Sequence, residues 1–528
     1  MTQSENKSEA AFLSDYEPVD TGPDPQAKAD TQALLRARLA GKKLGKTAEK
    51  TDTAIPRQPT AAPVTLSFAQ QRLWVLDQLA PGNASYTESS ALRFQAVILP
   101  DLLEQAINVI VARHAVLRTT LHAQNGQPVA RVAREVHIPL TTHDLTALDT
   151  DAQQAEIVRL ATEDARAPFD LATGPLLRTT LLKLAPSEWV FLISMHHIVC
   201  DGWSSSVFSR ELSTIYANLA MSQPIGLPDL PIQYSDYAAW QRGWLSGGLI
   251  ETQLDYWRSR LEDLTPLDMP TDFPRPPVFS YRGARHSFNV PAELTNRLET
   301  LGKREGATLF MTLLAGFKCL LHRITGQDDI AIGTPIANRT RAELEPLIGF
   351  FVNTLVMRND LSGAPTFRDV LHRVRTRALE AYDHQDLPFE KLVEDLQPDR
   401  DLASNPLFQV IFQLHADQGA GNAAKNSTLG LVEVERATVK FDLRVEFRET
   451  PDGLVGALEY STDLFTPARM ERLATYLLTV FEEMTAAPDA PVASMPLVRG
   501  DERLQIADWG GEGRTLTDHG TIADLSMS

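Results

Sequence analysis

Two adjacent histidines and a nearby aspartate are the residues whose types and spacing best fit chemistry. His196 and His197 close an apolar run, and Asp201-Gly202 begins four residues after His197. An imidazole with its ordinary pKa of about 6.5 accepts protons near neutral pH without a large perturbation. A histidine pair alone is more often structural than catalytic. The complete pattern, His-His-x-x-x-Asp-Gly, is more specific and indicates a general base whose orientation is fixed by the turn that follows it.

The elements that must position these residues are a buried strand, a tight turn and a helix. Residues 189–195 form a run of apolar, β-branched and aromatic residues, which is typical of a strand inside a sheet. Asp-Gly favours a turn, and the serines at 204–206 are expected to cap the helix that follows. Because side chains alternate along a strand, one histidine should face a cleft while the other is buried as support. Cys200 lies inside the pattern, where a nucleophilic thiol has to be weighed against a small buried side chain, and its apolar neighbours favour the latter.

Composition places the chain among ordinary globular proteins. Of 528 residues, 43% are hydrophobic and 22% charged, and the length allows two to four domains. A net charge of −18 argues against a nucleic-acid partner, and two cysteines make a disulfide framework unlikely. The sequence has neither an apolar run of about 18 residues nor the apolar core of a signal peptide. We therefore expect a cytoplasmic protein with no membrane span.

Seven motifs, in order over about 65–490, resemble those of the condensation domains of nonribosomal peptide synthetases. These domains are related to acyltransferases of the chloramphenicol acetyltransferase type. The first motif reads Ser-x-Ala-Gln-x-Arg-Leu-Trp at 67–74, and the third is the histidine pattern at 196–202. Departures are small, with Cys200 where serine is frequent and Ala115 where glutamate is frequent. The other motifs match segments 113–119, 233–242, 348–358, 384–390 and 400–413.

The resemblance implies an α/β fold of two chloramphenicol acetyltransferase-like lobes, arranged in a V with a central tunnel. It also implies an acyltransferase that forms an amide bond between a carrier-bound donor acyl thioester and the amine of a carrier-bound aminoacyl acceptor. The intact histidine pair argues against the heterocyclising branch, which replaces it with aspartates. Residues 202–204, residues 384–386 and the first motif look most like the branch that joins an L-configured donor to an L-configured acceptor.

The resemblance also assigns roles to the motif residues. His197, the second histidine, is expected to be catalytic, either accepting the proton of the acceptor amine or holding the amine by a hydrogen bond. His196 and Asp201 are expected to support it. Gly202 is expected to leave room for a pantetheine arm and to offer its amide N–H.

An arginine of the second motif is expected to pair with Asp201. Arg113 is the first choice for this partner and Arg118 the second. Such a buried pair would fix the turn rather than take part in chemistry. The remaining residues expected to support the site or line the tunnel are Trp203, Ser204, Asn353, Gln385 and Arg400.

Composition along the chain predicts how it divides into a leader, two lobes and a linker. The first 64 residues are polar and rich in Lys, Ser, Thr and Pro, which is typical of disorder, with one possible docking helix at 29–39. A proline-rich stretch at 267–277 is the best boundary between lobes. The predicted parts are a leader (1–64), an N-terminal lobe (65–270), a C-terminal lobe (271–490) and a linker (491–528) that resembles the start of a condensation–adenylation junction.

Neither a covalently bound cofactor nor a metal is expected. The family's substrates arrive on 4′-phosphopantetheine arms of upstream and downstream peptidyl carrier proteins. Because we find no carrier or adenylation motif, we expect these carriers in trans, unless the chain is a fragment of a longer synthetase. An adenylation domain is a further candidate partner, and a monomer is expected. Two other functions stay open: a non-catalytic platform that recruits carriers or a tailoring enzyme, and a free-standing acyltransferase that uses a soluble amine or alcohol.

Overall fold

The structure is a computed structural model. It describes residues 54–59, 64–397, 405, 407–415, 430–432 and 438–509. The predicted helix at 29–39, Arg400 and the end of the linker lie outside these residues.

The described residues alternate between helices and strands, as an α/β fold requires. The helices are α1 (Phe68–Leu79), α2 (Pro100–Arg113), α3 (Thr150–Arg166), α4 (Gly202–Ala220), α5 (Tyr234–Trp244), α6 (Gly248–Leu261), α7 (Ala292–Arg304), α8 (Leu309–Thr325), α9 (Phe367–Asp383), α10 (Phe389–Leu396), α11 (Pro467–Ala486) and α12 (Gly500–Trp509). The strands are β1 (Thr87–Phe94), β2 (Thr119–Gln124), β3 (Gln127–Val132), β4 (Leu140–Asp144), β5 (Leu177–Ala185), β6 (Glu188–His196), β7 (Gly283–Pro291), β8 (Asp329–Ile336), β9 (Asn353–Asp360), β10 (Val410–His415), β11 (Gly430–Val432), β12 (Leu443–Thr450) and β13 (Gly453–Ser461).

Two mixed sheets carry the fold. One has the strand order β11-β1-β6-β5-β4 and the other β7-β13-β12-β10-β8-β9, while β2 and β3 form a separate hairpin. Strands β5 and β6 form an antiparallel hairpin, with Leu177 opposite Met195. The α/β class expected from the motifs is therefore confirmed.

Local sequence signals explain where the helices around the site begin. Ser67 caps α1 and forms a capping box with Gln70. For α4 the predicted serine cap is wrong, because Asp201 is the cap and its side chain accepts the N–H of Ser204. Asp201 takes this place because its carboxylate stands at the end of the turn, where the first free N–H groups of the helix point.

The fifth-motif strand begins later than predicted. The sequence predicts a strand over 348–358, whereas β9 begins at Asn353. The backbone N–H groups of Gly349 and Phe351 donate to the side chains of Ser204 and Asp201 instead of to a neighbouring strand. Side-chain acceptors of the histidine motif thus take this segment out of the sheet.

The hydrophobic residues form two large cores, and the chain does not divide between them cleanly at residue 270. Leu254, Trp257 and Leu261 of α6, before the predicted boundary, pack in the core of the six-stranded sheet. Conversely, Ile348 and Phe351 pack in the core of the five-stranded sheet. Each core therefore contains a segment from the other half of the chain.

One strand from the second half of the chain also joins the five-stranded sheet. β11 comes from the second half of the sequence, yet it pairs antiparallel with β1, with Leu431 opposite Leu92.

Among the described residues, no single helix is both long and apolar enough to cross a membrane, and only α7 and α8 together, bent by 103°, reach that length.

Candidate active site

His197 lies directly after β6, at the start of a short 3₁₀ turn (His197–Val199). Its Nδ1 lies 2.7 Å from the carbonyl oxygen of Cys200. A carbonyl oxygen can only accept, so Nδ1 carries the proton and the neutral ring has its lone pair on Nε2. The ring packs edge-on against Phe350, with 4.7 Å between centroids. The side chain remains 18% exposed, so it is held by the fold without being sealed from solvent.

A carboxylate faces Nε2 of His197 and is itself paired with an ammonium. Glu88 Oε1 of β1 lies 3.3 Å from it, and Lys440 Nζ lies 3.2 Å from the same carboxylate oxygen. Burial lowers the pKa of His197, Glu88 opposes this effect, and Lys440 adds to it. A lowered pKa keeps the ring neutral and ready to accept a proton near neutral pH.

His196 occupies a different environment. It is 3% exposed, and its Nδ1 accepts the N–H of Ile198 at 3.1 Å. Its ring meets Phe169 edge to face at 6.2 Å between centroids. Burial, with a contribution from His197, lowers the pKa of His196 to about 3. A neutral, enclosed ring of this kind supports the turn and has no open face for a substrate.

Arg339 is the ionic partner of Asp201. Its Nη2 lies 3.1 Å from Asp201 Oδ1, and the two side chains are 1% and 0% exposed. Nη1 of Arg339 donates to the carbonyl groups of Leu344 and Leu347 at 2.6 and 2.7 Å. The guanidinium also stacks over the ring of Phe351 at 4.1 Å. The pair thus ties the turn after His197 to the segment that precedes β9.

The two arginines predicted to pair with Asp201 lie elsewhere, so that prediction is wrong. Arg113 Nε donates to Glu211 of α4 at 3.0 Å. Arg118 donates to backbone carbonyl groups, among them that of Val111 at 3.1 Å. Both therefore brace α2 and the chain that follows it. They act at a helix end, where unpaired carbonyl groups and a neighbouring carboxylate attract a cation.

Ser204 and Trp203 also connect the motif to the segment before β9. Ser204 Oγ lies 2.7 Å from Asp201 Oδ1 and accepts the N–H of Gly349 at 3.0 Å. Trp203 Nε1 donates to the carbonyl of Glu345 at 2.9 Å. Gly202 is exposed, and a Cβ built on it would meet nothing within 4 Å, so open space adjoins the turn at this residue.

Cys200 is a buried structural residue. Its side chain is 0% exposed, and its Sγ lies 3.6 Å from the carbonyl oxygen of His196. Burial raises the pKa of the thiol well above its ordinary value. Because the thiolate is the nucleophilic form, a neutral enclosed thiol does not serve as a nucleophile.

Asn353 and Gln385 are brought together by a hydrogen bond from side chain to backbone. Asn353 Nδ2 donates to the carbonyl groups of Gln385 and Leu387 at 2.9 and 2.7 Å, and its Oδ1 accepts the N–H of Phe389. Gln385 Nε2 donates to the carbonyl of Tyr382. The buried Asn353 is thus satisfied by the loop between α9 and α10, while Arg400 lies outside the described residues.

Sequence reasoning missed Glu88, Lys440 and Arg339. Arg339 lies 138 positions from Asp201, in an ordinary polar stretch. Glu88 and Lys440 are 352 positions apart, and isolated charges in strands are normally read as solvated.

The condensation domain family model matches residues 61–507 of this chain. The chain belongs to the condensation domain family. Its relatives include a linear gramicidin synthase of Brevibacillus parabrevis, which is 45% identical over 90% of this chain and 6% of its own length. The phosphinothricin tripeptide synthetase PhsC of Streptomyces viridochromogenes is 41% identical over 95% of this chain and 46% of its own length. The chain therefore spans less than half of each of these two relatives.

Solved structures agree with the fold. The X-domain from teicoplanin biosynthesis is 28% identical, with a TM-score of 0.77, and the match covers 84% of this chain and 100% of that one. The first condensation domain of the calcium-dependent antibiotic synthetase, at 20% identity and a TM-score of 0.70, covers 83% of this chain and 100% of its own. At that identity the second likeness concerns the fold alone.

Proposed function

We propose that this condensation domain forms an amide bond between a donor acyl thioester and the amine of an aminoacyl acceptor. Both substrates are held on the 4′-phosphopantetheine arms of peptidyl carrier proteins. The observation that carries the proposal is the state of His197: its Nδ1 is fixed by the Cys200 carbonyl, which leaves Nε2 as the proton acceptor. The family relation and the synthetases named above support the substrate class.

The reaction requires positioning more than strong activation. The acceptor amine attacks the donor thioester carbonyl, and Nε2 of His197 takes the proton released from nitrogen. The carbon–sulfur bond then breaks to release the donor arm, whose thiolate takes that proton from His197. Holding the two reactants in place contributes up to about 7–11 kcal/mol, and a base contributes about 10²–10⁴-fold. Gly202, beside open space, is where we place the approach of a pantetheine arm.

The proposal also covers the stereochemistry of the two substrates, the arrangement of the lobes and the partner proteins. We assign the chain to the branch that joins an L-configured donor to an L-configured acceptor, because residues 202–204 and 384–386 fit that pattern. Two lobes in a V would let the two carrier arms enter a tunnel from opposite faces. Carriers acting in trans, with an adenylation domain as a further partner, complete the proposal.

Intact-protein mass spectrometry of loaded carriers tests the proposal. A donor carrier bearing an acyl-aminoacyl thioester and an acceptor carrier bearing an L-aminoacyl thioester are mixed with the protein. We expect the mass of the acceptor carrier to rise by the donor acyl group, and an acceptor bearing the D-amino acid to react more slowly. Equal rates for both acceptors would contradict the stereochemical assignment.

The two other functions give different outcomes in the same experiment. A small product released into solution on addition of a soluble amine or alcohol, with no gain in carrier mass, would favour a free-standing acyltransferase. Carrier binding without transfer for every loaded pair would favour a platform. Either result would overturn the proposed function.

A further inference from the structure

Glu88 and Lys440 join the reactive side of His197 to the second half of the chain. Glu88 is the second residue of β1, opposite Met195 of β6, and it therefore lies beside the end of the strand that leads into His197. Lys440 lies just before β12 of the six-stranded sheet. The two side chains are 25% and 27% exposed, so the pair is partly shielded from solvent.

The Glu88 carboxylate acts in opposite senses on the two forms of His197. In the neutral ring Nε2 has a lone pair, and an anionic oxygen 3.3 Å away repels it. After Nε2 has accepted a proton, the same oxygen attracts the imidazolium. A negative charge here thus stabilises the ring in the state it reaches during the reaction.

Lys440 acts in the opposite sense through the same oxygen. Its ammonium lies 3.2 Å from Glu88 Oε1 and over the ring of Tyr86 at 4.8 Å. A cation so close to the carboxylate offsets part of its charge. It therefore limits how strongly the carboxylate favours the imidazolium and keeps the ring deprotonated between turnovers.

We propose that Glu88 and Lys440 are positioning residues that set the proton affinity of His197 Nε2 from the two halves of the chain. Glu88 holds the imidazolium after the acceptor amine has given up its proton, and Lys440 favours the return of that proton to the departing thiolate, which leaves His197 neutral. The proposal extends the proposed function, since it assigns the proton acceptance to His197.

The other charged groups around His197 and Glu88 have strong partners of their own. Arg444, which also interacts with the charge of Glu88, pairs with Glu446 and Glu459. Asp201 adds a negative charge, but it is already paired with the buried guanidinium of Arg339. His196 is buried and neutral, and the Cys200 carbonyl accepts from Nδ1. Glu88 and Lys440 are thus the pair whose opposite charges can be removed one at a time.

NMR titration of His197 tests the proposal without any need for turnover. The full chain is labelled with ¹³Cε1-histidine, and the His197 signal is identified by its loss in His197→Gln. In Glu88→Gln we expect the pKa of His197 to fall below its wild-type value, because an attractive negative charge is lost. In Lys440→Met we expect it to rise above the wild-type value, because a repulsive positive charge is lost.

Glu188→Gln is the matched control. Glu188 pairs with Arg93 at the opposite end of the β1–β6 pair, so its loss should leave the pKa of His197 unchanged. Unchanged pKa values in both test variants, or shifts in the same direction, would overturn the proposal. If Glu88→Gln fails to fold, the predicted rise in the pKa of His197 in Lys440→Met still tests the proposal.

The pH dependence of carrier-to-carrier transfer gives a second readout. The acid limb of the rate profile should move to lower pH in Glu88→Gln and to higher pH in Lys440→Met, in step with the titrations. Coinciding acid limbs in wild type and both variants would contradict the proposal. Absence of transfer by the wild type would count against the proposed function alone, because the titrations are measured independently.

Discussion

Asp201 collects hydrogen bonds from three separate parts of the chain. Its carboxylate accepts from the N–H of Ser204 at 2.8 Å, from the N–H of Phe351 at 3.0 Å and from Arg339 at 3.1 Å. A carboxylate that is fully buried needs such partners, since an unpaired buried charge is costly. The turn that carries His197 is therefore held by a network that reaches well beyond the histidine motif.

Removing Arg339 should cost much more stability than removing Arg113. Arg339→Ala strands the buried charge of Asp201, and we expect the free energy of unfolding to fall by about 3–5 kcal/mol. In Arg113→Ala, Glu211 keeps the ring of His114 at 2.9 Å as a partner, so the loss should be smaller. Urea denaturation of the two variants and wild type measures both losses in the free energy of unfolding. Equal losses, or a larger loss for Arg113→Ala, would contradict this account of the turn.

At the residue scale, the sequence reveals the type of a group more readily than its partner. The histidines, Asp201 and the buried nature of Cys200 could be predicted, because local spacing and flanking apolar residues specify them. The pairing of Asp201 could not, because it joins residues 138 positions apart. Arg113 was the plausible choice by motif, yet the carboxylate of Glu211 lies closer to it in the fold.

At the scale of elements, the segment before β9 packs against the histidine motif. We call this segment, residues 344–351, the clasp. Gly349 lies against Tyr234 of α5, and a Cβ built on Gly349 would come within 2.0 Å of that ring. The Tyr234 hydroxyl lies 2.8 Å from Ser67 Oγ and donates to the carbonyl of Phe350 at 2.6 Å. Phe350 in turn contacts the ring of His197. This chain of contacts connects α1, α5 and the site.

Gly349→Ala should displace Tyr234 and loosen the clasp. We expect a loss of about 1–3 kcal/mol in the free energy of unfolding, which is typical of overpacking, and slower carrier-to-carrier transfer. The matched control is Gly243→Ala in α5, where an added Cβ meets nothing within 4 Å. Urea denaturation and the transfer assay measure both variants. Wild-type stability and rate in Gly349→Ala would show that Tyr234 does not hold the site.

Helix α8 contains a lysine that is wholly buried. Lys318 is 0% exposed and donates to the carbonyl of Ile330 at 3.0 Å and to Asn359 Oδ1 at 2.8 Å. Burial lowers the pKa of its ammonium to about 7. The helix itself could be predicted from its apolar spacing, whereas the burial of a lysine within it could not, because its acceptors lie on β8 and β9.

Lys318 should make stability depend on pH. Its pKa is lower in the folded protein than the value of about 10.4 expected after unfolding, so between these two values the unfolded chain binds the extra proton. The free energy of unfolding should therefore rise as pH increases from about 7 towards 10. This rise should be smaller in Lys318→Met and unchanged in Lys303→Met, whose side chain is 75% exposed. Urea denaturation between about pH 7 and about pH 10 measures this rise. An equal dependence of the free energy of unfolding on pH in wild type and both variants would contradict its attribution to Lys318.

At the scale of the whole molecule, the two cores are interlocked. α6 packs in the core of the second sheet, the clasp packs in the core of the first, and β11 extends the first sheet from the second half of the chain. The general α/β architecture could be predicted from the order of motifs. The exchange of segments could not, because proline-rich composition marks a break in regular structure without showing which core the flanking residues join.

Interlocked cores should unfold together. We expect amide hydrogens in β1 and in β13 to become exposed with the same denaturant dependence and the same free energy, because opening either sheet disturbs segments of the other core. Hydrogen exchange followed by mass spectrometry at increasing urea concentration measures this. Two separate transitions for the two strands would show that the lobes are independent units.

The central claim, that His197 is the proton acceptor of amide-bond formation, is tested most directly by single-turnover transfer between loaded carriers. Wild type, His197→Ala and Cys200→Ala are compared by intact-protein mass spectrometry, with folding checked by circular dichroism. We predict a loss of at least about 100-fold in His197→Ala and retained transfer in Cys200→Ala, because that thiol is neutral and enclosed. Wild-type transfer by a folded His197→Ala protein would contradict the account.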